Sequence, residues 1–273
     1  MEIQVLGPLR VDVNGVSIVP TAGKPRQLLA LFAFNPGRIV PVHTLMEELW
    51  RTELPQSALT TLQTYVLQLR RRLGTAMGPD APGAAKEVLA TRHGGYLLQI
   101  PPQAVDVHRY EHLVTGGQQA FEQGEDDRAA SLLRAALDLW QGPALVDVRA
   151  GSVLAIEVIR LEESRLVTVE RRIDADLRLG RHGELIAELR DLITRHPRHE
   201  GLHSQAMVAL YRSGRQATAL DVYRRLRGRL IEELGVEPSP QLQRLHQAML
   251  TVDPALDQVS SPRRTSTYGL YAA

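Results

Sequence analysis

The stretch "LTTLQTYVLQLRRRLG", Leu59 to Gly74, combines an apolar stripe with a polar face that ends in three arginines. At about 100° per residue, five apolar side chains fall on one side of a helix. They are Leu59, Leu62, Val66, Leu69 and Leu73. This side is predicted to face a hydrophobic core, which leaves the opposite side for solvent or a partner.

The outer face of this helix carries threonine, glutamine and arginine but no acid between Gln56 and Gly74. A solvated helix face usually mixes Glu with Lys, because ion pairs at i and i+4 stabilise it. Hydroxyls, carboxamides and guanidiniums instead suit base edges and phosphates. Alternatively, the arginines only favour the negative end of the helix dipole, but that does not explain the missing acids. The pattern predicts a helix that lies against DNA.

Individual roles follow from position on this face. Four side chains are predicted to read bases: Thr61, Thr64, Tyr65 and Gln68. Arg71 is placed between base and phosphate roles, and Arg70 and Arg72 are predicted phosphate clamps. Lys24 and Arg26 begin an earlier helix, where free backbone N–H groups and positive charge favour phosphate. An ordinary solvated helix start is an equal alternative for these two.

The surrounding sequence predicts strands, three helices and a hairpin, in that order. Residues 3–19 indicate two strands with a turn at Asn14-Gly15, and "GTAMGPDAPGAA" after the basic helix indicates a loop. The helices preceding the basic one are predicted at Lys24 to Asn35 and at Val42 to Trp50. A short helix followed closely by an amphipathic one is typical of a helix-turn-helix.

The last hairpin, "VLATRHGGYLLQI", places Arg92 and His93 at its tip. From there an arginine can reach the minor groove or a phosphate, so both residues are predicted DNA contacts. Gly94-Gly95 is expected to allow positive φ and a close backbone approach.

Beyond Pro101-Pro102 the sequence predicts only helices. Seven are expected: 106–124, 125–141, 152–180, 184–196, 202–214, 216–234 and 239–250. Gly180-Arg181 and Gly214-Arg215 are 34 residues apart, with a partial third copy at Gly124, which is the period of tetratricopeptide helix pairs. The expected domains are 1–101 and 102–252, followed by a disordered tail at 253–273.

Composition narrows the class of protein. The chain of 273 residues has no cysteine and a net charge of +1. Residues 1–100 contain ten Lys+Arg and seven Asp+Glu. Thiolate chemistry is excluded, no cofactor is expected, and no run approaches the ~18 apolar residues of a membrane span. A cytoplasmic location is expected. "HRYEH", His108 to His112, fits a zinc-peptidase pattern, but no acidic third ligand is identifiable, so metal binding is a minor alternative.

The three motifs "KPRQLLALFAFNPGRIVPVHTLMEELW", "LTTLQTYVLQLRRRLG" and "TRHGGYLL" resemble the winged helix-turn-helix of response regulators. With "LGPLRV" before them and an all-helical part beginning "DVHRYEHL" after them, the chain resembles the Streptomyces antibiotic regulatory proteins over residues 1 to 250. The implied fold is mainly α: an α+β winged helix-turn-helix followed by a tetratricopeptide-like bacterial transcriptional activation domain.

The resemblance implies an activator of a secondary-metabolite gene cluster and not an enzyme. It further implies tandem protomers, a homodimer on DNA, on direct repeats of double-stranded promoter DNA near the −35 element. Recruitment of RNA polymerase through its principal sigma factor is implied too. Without G-x-x-x-x-G-K-[ST] or a preceding receiver domain, regulation by ATP or phosphorelay is not expected. The alternatives left open are a repressor, a helical-repeat adaptor that binds protein, and, through "HRYEH", an enzyme.

Overall fold

Two compact units make up the protein in the computed structural model, which describes residues 1–51, 53–78 and 83–256. The first unit contains residues 1–112 and 136–165, and the second contains residues 113–135 and those from 166 onward. A later segment therefore packs with the first unit. The predicted domain limits, 1–101 and 102–252, stay a prediction about the functional domains. The compact units are defined by packing, and their borders differ from these limits.

The first unit has the predicted order of strands, three helices and a hairpin, with an additional strand after the first helix and a fourth, short helix before the hairpin. Its strands are β1 (Glu2–Gln4), β2 (Arg10–Val13), β3 (Val16–Ser17), β4 (Ile39–Pro41), β5 (Leu89–Arg92) and β6 (Gly95–Leu98). Its helices before the hairpin are α1 (Gly23–Ala33), α2 (Val42–Trp50), α3 (Ala58–Met77) and the short α4 (Ala84–Val88). Leu28, Leu31 and Phe32 of α1 are fully buried and form the centre of this core, against which α2 and α3 pack.

The first sheet confirms the predicted hairpin turn. Asn14 and Gly15 have φ of 52° and 79°, the two left-handed residues that a tight type I′ turn requires. They join β2 to β3, with Val13 opposite Val16. The predicted first strand is split, however, since "IQVLGPLRV" forms β1 and β2, which pair antiparallel with Ile3 opposite Val11.

The basic helix is longer than predicted. α3 continues past Gly74 to Met77, and the stretch predicted as a loop also contains the first two residues of α4. Glycine lowers helix propensity but does not end a helix whose following residues can still bury apolar surface, and Ala76 is buried in this last turn. Residues 79–82 of the predicted loop lie outside the described residues.

The helices after the hairpin confirm the all-α prediction for the second half of the chain. They are α5 (Asp106–Glu122), α6 (Asp126–Leu137), α7 (Ser152–Arg178), α8 (His182–Arg195), α9 (Glu200–Arg212), α10 (Gln216–Leu234) and α11 (Pro240–Leu250). Within the described residues, every helix is too short or too polar to cross a bilayer.

The buried side chain of Glu48 in α2 caps the N-terminal end of α7 within the first unit. The Glu48 carboxylate, in a residue only 1% exposed, accepts hydrogen bonds from the Gln27 amide and from three backbone N–H groups, at 2.6 to 3.0 Å. Those N–H groups belong to Gly151, Val153 and Leu154, at a helix end that has no internal acceptors for them. A side chain at Gly151 would lie 2.1 Å from the Glu48 carbonyl oxygen, so glycine is required there.

The second unit repeats one turn three times. Gly124, Gly180 and Gly214 have φ of 77°, 78° and 74°. Each glycine N–H donates to the carbonyl three residues earlier, and the next N–H donates to the carbonyl five residues earlier. This pattern is the Schellman motif, which ends an α-helix at a residue in the left-handed conformation. Counted from these glycines, the residues at matching offsets are all buried: Ala129, Leu133, Leu185, Leu189, Ala219 and Tyr223. The offsets read from the sequence therefore mark equivalent core positions.

The beginning of the predicted tail is packed. Pro254–Leu256 form a short 3-10 helix, Leu256 is 3% exposed, and its carbonyl accepts a 2.7 Å hydrogen bond from the Arg212 guanidinium. The prediction of disorder is wrong for residues 253–256, because Leu256 adds to the apolar core of the second unit. Residues 257–273 of the predicted tail lie outside the described residues.

Candidate nucleic-acid interface

The inner side of α3 is the predicted apolar stripe with one change. Leu62, Val66, Leu69 and Leu73 are at most 1% exposed. Leu59, the predicted fifth core residue, is 48% exposed, so that prediction was wrong. It lies at the edge of the stripe in the first turn, where Ala58 and Leu62 already fill the core.

The outer side of α3 is exposed along its whole length and carries no acid. Its exposed side chains are Leu59, Thr60, Gln63, Thr64, Leu67, Gln68, Arg71, Arg72 and Thr75. Thr61 and Tyr65 are half-buried at its border. We call the set Thr60, Gln63, Thr64, Leu67, Gln68 and Arg71 the outer face of α3.

Hydrogen bonding within α3 limits what Thr64 can do. Its hydroxyl donates to the Thr60 carbonyl at 2.9 Å. The hydroxyl proton is thereby used, so toward a base the oxygen can only accept a hydrogen bond, for example from an amino group of adenine or cytosine. The Thr64 methyl group remains suitable for contact with a thymine methyl.

Arg71 differs from its two neighbours. Within the described part of the chain, the exposed Arg71 guanidinium has no ion-pair or hydrogen-bond partner. Arg72 is also exposed and makes one long contact, 3.4 Å, with the Val19 carbonyl. Both guanidiniums can therefore reach an external anion or base without breaking an internal ion pair.

Arg70 has a different position from the one predicted. Its Nε donates to the Leu89 carbonyl and its Nη2 to the Thr91 hydroxyl, both at 2.9 Å, while its guanidinium lies 6.0 Å from the Tyr96 ring. These partners belong to β5 and β6. Arg70 is half-buried and joins α3 to the hairpin, so a phosphate would have to compete with these hydrogen bonds, which weakens its predicted role as a phosphate clamp.

The β5–β6 hairpin, which we call the wing, exposes Arg92 and His93 at its tip as predicted. Gly94 has φ of 77°, and its carbonyl accepts a 2.9 Å hydrogen bond from the Val42 N–H at the start of α2. Gly95 is needed for another reason than the predicted positive φ. A Cβ there would lie 2.3 Å from the Val40 carbonyl of β4, so the glycine permits strand packing.

The cations at the start of α1 are occupied within the first unit. The Lys24 ammonium lies 4.7 Å from the Trp50 ring centre. Arg26 bonds the Pro20 carbonyl at 3.0 Å and forms a 3.2 Å ion pair with Asp147. Because a phosphate would have to compete with this carboxylate, the structure weakens the predicted phosphate role of Arg26, whereas Lys24 stays a predicted contact.

Three exposed members of the outer face were not predicted as DNA contacts: Thr60 and Gln63, and Leu67 at 46% exposed. Leu67 was missed because a leucine is expected to be buried, although its angle on the helix, close to that of Thr64 and Arg71, already placed it outside.

The "HRYEH" stretch has structural partners. Tyr110 is fully buried and its ring meets that of Trp140 edge to face at 5.6 Å. The Glu111 carboxylate pairs with the Arg160 guanidinium at 3.2 Å and with the His108 ring at 3.5 Å. Among the described residues, no group of three or more His, Cys, Asp or Glu could hold a metal ion.

Two family models cover most of the chain. Residues 18–98 match "Transcriptional regulatory protein, C terminal", and residues 105–250 match "Bacterial transcriptional activator domain". The first range contains α1 to α3 and the wing, and the second contains α5 to α11.

Individual relatives agree with this assignment. The chain is 53% identical to the regulatory protein DnrI of Streptomyces peucetius, over 94% of this chain and 95% of the relative. It is 38% identical to the transcriptional regulator RedD of Streptomyces coelicolor, over 94% of this chain and 72% of RedD. The solved structure of Mycobacterium tuberculosis EmbR in complex with a low-affinity phosphopeptide superposes with a TM-score of 0.85, at 34% identity, covering 93% of this chain and 65% of that one.

These matches confirm the winged helix-turn-helix and the activation domain, and they assign a transcriptional regulator instead of an enzyme. The chain therefore belongs to the Streptomyces antibiotic regulatory protein family of DNA-binding transcriptional activators.

Proposed function

We propose that this activator binds direct repeats of promoter DNA near the −35 element of a secondary-metabolite gene cluster. It acts in the cytoplasm on nucleoid DNA, as a tandem homodimer, and recruits RNA polymerase through its principal sigma factor. The observation that carries the DNA-binding part is the outer face of α3, which is exposed, free of acids and ends in the unpaired Arg71.

In this proposal the outer face of α3 enters the major groove. Gln68 matches the donor and acceptor pattern of adenine, and Arg71 that of guanine. Thr61, Thr64 and Tyr65 complete the base contacts. Arg72, Lys24 and the wing residues Arg92 and His93 contact phosphates or the adjacent minor groove, while Arg70 holds the wing against α3.

A gel-shift titration on promoter fragments beside its own gene tests the DNA-binding part. Sequence-specific binding should exceed binding to scrambled DNA by at least about 10³-fold at physiological salt. Affinity should fall with salt at a slope of about −0.9 for each phosphate contact. Equal affinity for both DNAs would reject base reading. Footprinting of the same fragments gives the repeat spacing, and a single unrepeated site would reject the tandem arrangement.

Transcription with purified polymerase tests the activating part. Adding the protein to polymerase that carries the principal sigma factor should increase transcript from a footprinted promoter. A decrease on the same template would indicate a repressor that occludes the promoter. Polymerase that carries another sigma factor is the control for sigma specificity.

A further inference from the structure

Helices α8, α9 and α10 of the second unit enclose a groove of about 510 Å³, which we call the α8–α10 groove. Its walls include Leu189 and Val222, which belong to the core of this unit. Its volume lies within the ~300–1,000 Å³ typical of small-molecule sites. The groove therefore offers apolar surface to a ligand of limited size.

Three arginines line the same groove, whereas its lining includes no acid. Arg190 comes from α8, and Arg225 and Arg229 stand one turn apart on α10. Within the described residues, neither Arg190 nor Arg225 has a carboxylate within 4 Å. Arg229 has a loose pair with Glu233 at 3.6 Å.

Many other arginines of the second unit are paired with acids. Arg178 pairs with Asp126 at 3.2 Å and Arg227 with Glu237 at 2.6 Å, for example. An arginine pair left without acids beside an apolar cavity is a site with positive charge to offer an anion.

A histidine, His203, also lines the groove. His203 is 5% exposed, and its Nδ1 lies 3.0 Å from the His199 carbonyl. Burial lowers the pKa of His203, and the positive charges of Arg229 and Arg225 lower it further, against the hydrogen bond to His199. His203 thus adds a polar side chain to a groove lined by arginines.

We propose that the α8–α10 groove binds a small amphipathic carboxylate, whose apolar body lies against the partly buried Ile193 and whose carboxylate pairs with Arg190 or Arg225. Arginine is suited to this role because its planar guanidinium meets a carboxylate with two parallel hydrogen bonds. This site lies wholly in the second unit and does not depend on the proposed DNA contacts.

Titration calorimetry of the full chain with octanoate tests this site, with 1-octanol and octylamine as neutral and cationic controls. Octanoate should bind saturably with one site per chain, and both controls should bind at least roughly tenfold more weakly. The double variant Arg190→Gln/Arg225→Gln should lose roughly tenfold or more in octanoate affinity. The matched control is Arg195→Gln/Arg244→Gln, which alters exposed arginines of α8 and α11 outside the groove and should bind normally.

Absence of saturable octanoate binding would overturn the proposal, as would equal binding of 1-octanol or unchanged affinity in the double variant. Binding of an alternating Glu-Leu peptide in place of octanoate would also overturn it, and would show that the groove docks an acidic protein segment. Gel shifts on the same preparations keep the two hypotheses separate, because the arginine variants should retain normal DNA affinity.

Discussion

Arginines serve opposite purposes in the two units. In the second unit, Arg134, Arg172 and Arg181 converge on the Asp176 carboxylate, which is 2% exposed, at 2.8 to 3.3 Å. On α3 of the first unit, Arg71 and Arg72 are exposed and no acid lies on the same helix. The same side chain stabilises the fold where acids surround it, and it stays available to an external partner where they are missing. Pairing, more than the count of charges, separates the two uses.

The largest expected effect is the loss of the buried acid. Asp176→Ala should lower the free energy of unfolding by about 3 kcal/mol, because Arg172, 8% exposed, would remain buried without this partner. Urea unfolding measures the loss. Asp127→Ala is the matched control, since Asp127 pairs with the same Arg181 but is 75% exposed, and it should cost less than about 0.5 kcal/mol. Equal losses in the two variants would contradict the distinction.

The first unit should also depend on its buried acid Glu48. Glu48→Ala removes the acceptor of four hydrogen bonds and leaves buried N–H groups unpaired, so we expect a loss of about 2–3 kcal/mol in the free energy of unfolding. Glu47→Ala alters the adjacent exposed acid, which bonds only the Ser152 hydroxyl. Thermal unfolding of both variants should show a lower melting temperature for Glu48→Ala alone.

The unpaired arginine should matter for binding and not for folding. Arg71→Ala should weaken binding to the specific site by about 1–3 kcal/mol, relax sequence preference and leave stability within about 0.5 kcal/mol. Arg92→Ala should instead weaken specific and random DNA alike and reduce the salt slope by about 1. Gel shifts on both DNAs at several salt concentrations distinguish the two. If Arg71→Ala weakened binding to specific and random DNA equally, Arg71 would be a phosphate contact.

The carboxyl group of Glu170 should make the stability of the second unit depend on pH. Burial, and then the negative charge of Asp174, raise the pKa of Glu170 from 4.5 to about 7, against the positive charge of Arg171. A raised folded-state pKa stabilises the fold below pH 4.5, and this stability is lost as pH rises through about 7.

Glu170→Gln should therefore gain stability relative to the wild type between pH 5 and pH 8, by about 1 kcal/mol after allowing for partial solvation. Urea unfolding at both pH values measures the change. His199, whose ring lies 3.5 Å from Glu170, has a pKa lowered by burial. Because His199 is present in the wild type and in Glu170→Gln, its own titration contributes to the stability of both and largely cancels in the difference. The exposed Glu184→Gln is the control and should show no such change, and a pH-independent difference for Glu170→Gln would reject the assignment.

The smallest expected effect tests the apolar part of the outer face of α3. If Leu67 contacts a thymine methyl, replacing that thymine by uracil in the footprinted site should weaken binding by about 0.8 kcal/mol, the contribution of one buried methyl-sized group. Leu67→Ala should abolish this discrimination at one position. The check is a set of gel shifts with uracil placed at each thymine in turn, and no Leu67-dependent position would remove leucine from base reading.

Local patterns were sufficient to predict most elements and the exposed, acid-free side of α3. Asn14-Gly15, the leucine stripe and the three helix-ending glycines each act within a few residues, so their consequences can be read from sequence. Even there, Leu59 was misplaced, because its burial depends on what packs beside the first turn of α3.

What could not be predicted depends on partners far along the chain. The sequence predicts a phosphate contact for Arg70, yet this side chain bonds β5, nineteen and twenty-one residues later. Arg26 pairs with Asp147, 121 residues away. β4 was not predicted because its three residues become a strand only by pairing with β6. Which of these cations the fold itself engages therefore could not be predicted from the sequence.

The contact between Glu48 and the beginning of α7 has a practical consequence for dissecting this activator. A fragment cut at residue 101 would keep the carboxylate but lose the Gly151, Val153 and Leu154 amides that it closes. Minimal DNA-reading fragments for reporter fusions or crystallisation should therefore extend through Arg165, the last residue packed with that unit.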